Sequence, residues 1–196
     1  MSTQVVTEYD VRTAILKWRD VAIREASLNR HGSYALHRPD FKSLAPTYLT
    51  NIHRPFFNRL DTCDSLYVRT HRMIVYGMTK YSKALKAVVM KASGKNLGKL
   101  LVSKGVIRSL DDLPEVFVAQ RIGLLDILSE STNKMRINIY ECMSCSGMKP
   151  SGITMCDFEA GVIEGVLEVL IGRNVTKERY CWGLGYSFCG FEIIFE

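Results

Sequence analysis

Long apolar runs are missing from this sequence of 196 residues. A transmembrane helix needs roughly 18–20 consecutive apolar residues, whereas every long apolar stretch here contains a charged residue. The first residues also lack the basic segment followed by an apolar segment that marks a secretory signal. A dinucleotide fingerprint such as GxGxxG after a strand is missing as well. We therefore expect a cytoplasmic protein without a membrane span.

Acidic residues are absent between Ser65 and Leu110, although the chain contains 20 of them in all and has a net charge of +6. Ten basic residues lie in this stretch: Arg69, Arg72, Lys80, Lys83, Lys86, Lys91, Lys95, Lys99, Lys104 and Arg108. Such a surface attracts anions, so a protein that binds nucleic acid through its Lys80 to Lys95 face is one hypothesis. The alternative is an ordinary solvated helix face.

Histidine is scarce, and its four residues all lie in the N-terminal half, which argues against a local Cys₂His₂ site. Five of the six cysteines, in contrast, fall between Cys142 and Cys189. Because no export signal is visible, this clustering favours metal or redox chemistry over a disulfide framework.

The N-terminal third is predicted to contain one regular element followed by irregular chain. Apolar residues recur at helical spacing and predict a helix over residues 9–27: Val11, Ile15, Trp18 and Ala22. Prolines interrupt residues 29–64, where we expect a linker or lid. We expect residues 1–64 to form an N-terminal helix and irregular extension, ahead of one domain over residues 65–196.

The middle of the chain is predicted to be one strand followed by three helices. Apolar alternation predicts a strand over residues 66–75, covered on both sides. A helix that starts at Thr79 should end near Gly94, and a short helix follows at 96–103. Ser109 and Asp112 resemble a capping box before a longer helix to about residue 128.

The last third is predicted to contain three strands and one long helix. Residues 134–141 alternate as a half-buried antiparallel strand does, and residues 174–195 indicate two strands around a glycine turn. Between them, residues 156–171 have helical spacing, and Gly161 and Gly165 favour close approach of another backbone or of a partner chain. The fold class is therefore α+β, with helices followed by an antiparallel sheet, an inserted long helix and a C-terminal metal-binding hairpin.

The hairpin carries the strongest chemical signal. Cys181 and Cys189 are placed symmetrically about Gly185, so a turn there brings the two sulfurs opposite each other. Glu178 lies three residues before Cys181, and a bulge must intervene for both to reach one ion. Cys156 begins the long helix. Three thiolates and one carboxylate form a closed tetrahedral zinc set with a formal charge of about −2, typical of a structural site.

Four other uses of these cysteines stay open. Cys142 and Cys145 form a CxxC pair, which fits zinc with two later cysteines, an iron–sulfur cluster or a redox dithiol. Cys181 and Cys189 could instead form a cross-strand disulfide.

The basic residues Arg173, Lys177 and Arg179 lie near the proposed ligands in sequence and are expected to offset the charge of a metal site.

The segment MCDFEAGVIEGVLEVLIGRNVTKERYCWGLGYSFCGFEI, residues 155–193, resembles the closing part of the 4-vinyl reductase domain family. The family pattern is a cysteine before a small-residue helix, then Glu-x-x-Cys, a glycine turn and a last cysteine. The resemblance extends back to about residue 65 and implies that residues 65–196 form one ligand-binding domain. It implies zinc on Cys156, Glu178, Cys181 and Cys189, next to a buried pocket for a small aromatic ligand, as in the sensory domain of phenol-responsive activators.

These observations lead to three hypotheses. The first is a zinc-stabilised, homodimeric module that binds a small hydrophobic or aromatic molecule between its sheet and the helices of residues 79–128, in a sensory or carrier role. The second is a reductase acting on a vinyl-bearing tetrapyrrole or related ring, which would need a reductant. The third is the basic nucleic-acid-binding protein, whose affinity would fall steeply with salt.

Overall fold

Helices come first in the computed structural model, which describes residues 7–28, 47–61 and 63–196. The helices are α1 (Glu8–Ser27), α2 (Pro55–Leu60), α3 (Asp64–Tyr81), α4 (Lys83–Ser103), α5 (Leu113–Ala119) and α6 (Asp157–Leu170). The strands are β1 (Leu124–Ser131), β2 (Lys134–Tyr140), β3 (Asn174–Tyr180) and β4 (Cys189–Phe195). Among the described helices, none has the length and apolar character needed to cross a membrane.

The strands form one antiparallel sheet in the order β1-β2-β4-β3. Ile137 and Phe191 lie on the face that packs against Val166 of α6. On the other face Tyr140 packs with Ile15 of α1, so described helices cover both faces of the sheet. The α+β class, the inserted helix and the C-terminal hairpin are confirmed, as are helix α1 and strand β2.

The strand predicted over residues 66–75 is wrong, because these residues belong to helix α3. Val68, Arg72 and Val75 are buried at helical spacing, whereas Leu66 and Ile74 are more than half exposed. The alternation therefore came from counting exposed apolar side chains as buried ones. Where apolar residues are this frequent, the sequence pattern fits both an amphipathic helix and a strand. The two differ in which of the apolar residues face the core.

Two predicted helix ends are also wrong. Helix α4 continues through Gly94 to Ser103, so the two helices predicted there are one. The capping box of Ser109 and Asp112 is present, but the helix that follows stops at Ala119 and residues 124–131 form strand β1. Arg121 adopts a positive φ of 55°, and a left-handed residue ends a helix.

Helices α4 and α6 touch through their backbones at Gly94, Gly98, Gly161 and Gly165. A Cβ atom at Gly161 would lie 2.2 Å from the carbonyl oxygen of Lys91. The close approach expected at Gly161 and Gly165 is confirmed, and the backbone that approaches is α4 of the same chain. These two glycines therefore give no support to a dimer.

Adding one methyl group to this contact should destabilise the protein. We expect Gly161→Ala to lower the free energy of unfolding by about 1–3 kcal/mol or more, because the helices must separate. Gly77→Ala is the matched control, since a Cβ there meets no atom within 4 Å. It should instead raise stability by about 0.5–1 kcal/mol through helix propensity. Urea denaturation measures both, and equal effects would contradict the packing argument.

The basic stretch of α4 faces the acidic side of α6. Lys91 and Lys95 contact Glu164 at 2.8 and 2.9 Å, and Lys99 contacts Glu168 at 2.6 Å. Lys86 is almost fully buried and pairs with Asp157. Much of the positive charge on which the nucleic-acid hypothesis rests is therefore neutralised within the chain.

Candidate functional site

Five cysteines converge in the core at the end of the sheet that the long helix covers. Their side chains are fully buried, and the set, here called the cysteine cluster, consists of Cys142, Cys145, Cys156, Cys181 and Cys189. The first two lie in the loop after β2, the third caps α6, and the last two flank the turn between β3 and β4. All six cysteines of the chain are free thiols, so the cross-strand disulfide is not formed. Cys63 is exposed and outside the cluster.

The sulfurs of the cluster lie close enough to share ions. The Cys156 sulfur is 3.5 Å from that of Cys142, 3.3 Å from that of Cys145 and 3.4 Å from that of Cys189. Sulfurs about 2.3 Å from one tetrahedral zinc ion are roughly 3.8 Å apart, so the spacing resembles that of one coordination shell. Burial raises the pKa of the Cys156 and Cys189 thiols well above the usual range, and a bound cation must displace their protons.

Two ligand sets satisfy the spacing for a metal ion, and they overlap. One contains Cys156, Glu178, Cys181 and Cys189; the other contains Cys142, Cys145, Cys156 and Cys189. In each set the donor atoms lie within 4.8 Å of one another. The sequence presents these sets as rivals, whereas the structure brings both together through two shared cysteines, Cys156 and Cys189.

Glu178 reaches the cluster because the ladder between β3 and β4 is irregular. Glu178 pairs with Phe191 and Tyr180 with Gly190, a register shift of the kind that the spacing to Cys181 requires. Its Oε2 accepts a hydrogen bond from the Cys156 amide at 3.0 Å. Its Oε1 is shielded from solvent and accepts no hydrogen bond from the described residues. An oxygen in that position fits a metal ligand, because burying it unpaired is costly.

Glu159 is a second carboxylate at the cluster, and sequence reasoning missed it. It lies in the first turn of α6 and is fully buried, which raises its pKa well above the usual range. Its Oε1 lies 3.1 Å from the Cys142 sulfur, and its Oε2 has no hydrogen-bond partner among the described residues. The sequence did contain a signal for Glu159: it follows Cys156 by three residues, which places both residues on the same side of the helix.

The loop that carries Cys142 and Cys145 is held by a buried cation, Arg72 of α3. Its guanidinium donates to the carbonyl oxygens of Met143 at 3.1 Å and Ser146 at 2.7 Å. It also donates to Tyr48 and Asn51, which ties residues 47–51 to the loop. Satisfying four carbonyls with one guanidinium fixes the loop over the core.

Arg54 and Glu141 connect the start of the same loop to α1 and α2. Arg54 is fully buried, pairs with Asp64 at 2.9 Å and donates to the Glu141 carbonyl at 2.8 Å. The Glu141 carboxylate accepts hydrogen bonds from the amide of Phe56 and from the Trp18 indole. These buried contacts position the cysteine loop. Its sequence offered no sign of them, because the partners are distant along the chain.

The basic residues expected to offset the charge of a metal site lie on the surface instead. Arg173 is exposed and pairs with Glu196, and Arg179 pairs with Glu192. That expectation is wrong, since both arginines already have carboxylate partners and Lys177 is exposed. Two buried cations, Arg54 and Arg72, contact the cysteine loop directly.

His71 of α3 also contacts the cysteine loop without belonging to either ligand set. Its Nε2 lies 2.9 Å from the Ser144 hydroxyl oxygen. Burial lowers its pKa to about 4, so the imidazole is neutral at neutral pH.

A cavity of about 1170 Å³ opens between α1 on one side and α5 with β1 on the other. Its apolar wall includes Val11, Ile15, Phe57, Val118 and Leu125. The predicted pocket was to be lined by residues 79–128 and the sheet. Helix α5 and strand β1 do line the cavity, but α1 and α2 were not expected, and α4 contributes no lining residue among those described.

Comparisons with known proteins agree with the sequence resemblance. The uncharacterized protein MJ1642 of Methanocaldococcus jannaschii is 34% identical over 117 residues, which span 59% of this chain and 69% of that protein. A trafficking protein particle complex subunit 3 from Naegleria fowleri, covalently bound to palmitic acid, shares the fold with a TM-score of 0.52 and 20% identity. The match covers 68% of this chain and 95% of that one.

The phenol-responsive sensory domain of the transcription activator PoxR, solved with phenol, has a TM-score of 0.47 and 14% identity over 56% of this chain and 64% of that one. Within this chain, residues 135–195 match the 4-vinyl reductase domain. That stretch contains all of β2 except Lys134, together with α6, the terminal hairpin and all five residues of the cysteine cluster. The chain therefore belongs to the 4-vinyl reductase domain family.

Proposed function

We propose that this protein is a zinc-stabilised module that binds a small hydrophobic or aromatic molecule in a sensory or carrier role. The cavity between α1 and α5 carries the proposal. Its volume of about 1170 Å³ is somewhat larger than the roughly 300–1,000 Å³ typical of small-molecule sites. In this proposal residues 65–196 form the binding domain, and the extension of residues 1–64 contributes one wall of the cavity.

The lining of the cavity suits a molecule with an apolar body and a polar end. The apolar wall is accompanied by Arg12, Arg19 and Arg121. Arg19 pairs with Asp126 at 2.9 Å on the β1 side, which leaves a fixed polar group beside the apolar surface. A few polar groups in an apolar pocket set the orientation of a ligand. The Naegleria subunit of the same fold holds palmitic acid, an amphipathic molecule of this kind.

Zinc is proposed at Cys156, Glu178, Cys181 and Cys189. The support is the convergence of these four donors, the unpaired Glu178 Oε1 and the register shift that brings Glu178 to the hairpin. A closed four-ligand set stabilises structure and leaves no coordination position for catalysis. In this arrangement the ion joins the start of α6 to the terminal hairpin.

Filling the cavity should weaken ligand binding while the fold persists. We expect Val11→Trp on α1 and Ala119→Trp on α5 each to reduce affinity at least about 10-fold, a loss of about 1.4 kcal/mol. Phenol and palmitic acid serve as probes, and calorimetry with ligand-dependent melting gives the affinity. Mass spectrometry of the denatured wild-type protein identifies any co-purified molecule.

Ala92→Trp is the matched control, because Ala92 is an exposed residue of α4 away from the cavity. It should leave probe affinity unchanged. If neither probe nor any co-purified molecule binds the wild-type protein, or if all three variants bind equally, the cavity is not a ligand site.

A homodimer is part of the proposal. Since Gly161 and Gly165 contact α4 of the same chain, the support for a dimer comes from exposed apolar side chains. Leu66, Met73 and Ile74 of α3 and Leu85 and Val88 of α4 are each more than half exposed. A second copy would cover these side chains. We expect sedimentation velocity to show a dimer at tens of micromolar and Val88→Glu to shift it towards monomer. A wild-type monomer at that concentration would rule the dimer out.

A further inference from the structure

The cysteine cluster offers more donors than one ion can use. Five thiols and the carboxylate of Glu178 lie in one buried compartment, and a tetrahedral zinc ion binds four ligands. A single ion at Cys156, Glu178, Cys181 and Cys189 would leave Cys142 and Cys145 unused, although their sulfurs are within 3.5 Å of Cys156.

We propose that the cluster holds two metal ions that share the thiolates of Cys156 and Cys189. Cys142 and Cys145 complete the first ion, and Glu178 and Cys181 complete the second. The inference rests on the zinc site of the proposed function and adds a second site to it. The ions belong to the class of thiophilic divalent cations that includes zinc, because the donors are mostly thiolates.

The positions of Cys156 and Cys189 support a bridging role. Their sulfurs are 3.4 Å apart, and both belong to each of the two ligand sets. The Cys145 sulfur lies 3.3 Å from the Cys156 sulfur and 3.1 Å from the Cys189 sulfur. It therefore contacts both proposed bridging thiolates from the loop after β2. Each ion has four donors once the bridges are counted, so neither depends on water.

A buried positive charge, Arg72, favours the thiolate form of the cysteines in the loop that carries Cys142 and Cys145. Arg72 is fully buried, and among the described residues no carboxylate forms a salt bridge with it. A buried cation needs a compensating anion. Its guanidinium donates to the carbonyls of Met143 and Ser146, on either side of Cys145. Five thiolates and one carboxylate around two divalent ions leave a net charge of about −2, which the cation partly offsets.

An iron–sulfur cluster fits this geometry less well. The iron and sulfide atoms of such a core lie between the cysteine ligands and hold them apart. Here the donor atoms of each set lie within 4.8 Å of one another, the spacing of ligands that share a single ion. The structure therefore favours two separate ions over a sulfide-containing core.

The test counts ions in the full-length protein, purified under reducing conditions and loaded with zinc or cadmium. Native mass spectrometry should show about two ions per wild-type chain, since each ion needs one of the two tetrahedral sets. Cadmium-113 NMR should give two signals of equal intensity, one from a four-thiolate site and one from a site with three thiolates and an oxygen. This measurement requires no variant, so a folding defect cannot obscure it.

Variants then assign the sites. Cys142→Ser and Cys145→Ser should halve the metal content and remove the four-thiolate signal. Cys181→Ser and Glu178→Gln should halve it and remove the other signal. Cys63→Ser, at the exposed cysteine outside the cluster, should retain the full content.

The possible failures are distinguishable. One ion per wild-type chain, unaffected by Cys142→Ser, would overturn the second site and leave the proposed zinc site intact. A protein that takes up neither metal would overturn both proposals. Iron with acid-labile sulfide would show a cluster instead and overturn the pair of ions.

Discussion

Cys181→Ser is expected to lower the free energy of unfolding by several kcal/mol, the largest effect that we predict for a single substitution. The physical reason is that metal binding in a buried closed site is coupled to folding, so losing a ligand loses folding free energy. In the proposed site Cys181 of the terminal hairpin and Cys156 at the start of α6 bind the same ion, and the Cys181 side chain is fully buried. Urea denaturation of the zinc-loaded protein measures the change.

A chelator provides the second arm of this experiment. It should destabilise the wild-type protein by at least as much, and it should have a smaller effect on Cys181→Ser, which has lost the ion at Glu178 and Cys181 and can keep only the one at Cys142 and Cys145. Cys63→Ser is the control for loss of a thiol at the surface, where substitutions usually change stability by about 0.5 kcal/mol or less. Equal stability of the wild-type protein with and without chelator would show that no structural metal is present.

Asp64→Asn should destabilise the protein by about 3–5 kcal/mol, because it leaves a buried guanidinium without its counter-ion. Arg54 and Asp64 are both fully buried and lie 2.9 Å apart. Arg54 also holds the carbonyls of Glu141 and Arg121, so the substitution should loosen the start of the cysteine loop. Chemical denaturation measures the loss, and hydrogen exchange at residues 141–146 measures the loosening.

Glu196→Gln is the matched control, since its pair with Arg173 is exposed and should contribute about 0–1 kcal/mol. The double variant Arg54→Met/Asp64→Leu should cost less than Asp64→Asn alone, because it removes both charges together. If Asp64→Asn and Glu196→Gln had the same small effect, the buried pair would not anchor the loop.

Prediction from sequence succeeded where one local pattern fully specifies an element. The helix of residues 8–27, the strand of residues 134–140 and the helix that follows Cys156 all have a repeat that matches a single burial pattern. It failed over residues 66–75 and beyond Ala119, where apolar residues are too frequent to show which side faces the core. In α3 one of the buried positions is occupied by Arg72, a fully buried cation. A search for periodic apolar residues does not count an arginine, so it misses this position of the buried face.

Within the candidate site, sequence spacing identified the donors and left their grouping open. Cys181 and Cys189 are paired by a local hairpin, and Glu178 is brought to them by a local register shift, so their spacing is informative. The inclusion of Cys142 and Cys145 in the same cluster depends on Arg72 and Arg54, which contact the loop from about 70 to 90 residues away along the chain. Such contacts leave no periodic signal.

The sequence by itself determined the α+β class, the cysteine-rich set of candidate metal ligands in the C-terminal third and the family resemblance, because these depend on residue types at short and regular spacings. Only the tertiary structure decided that the two candidate ligand sets share Cys156 and Cys189. It also decided that Gly161 and Gly165 pack against α4 of the same chain, and that α1 forms one wall of the cavity. Each of these results depends on which distant segments meet, and packing of the whole core determines that.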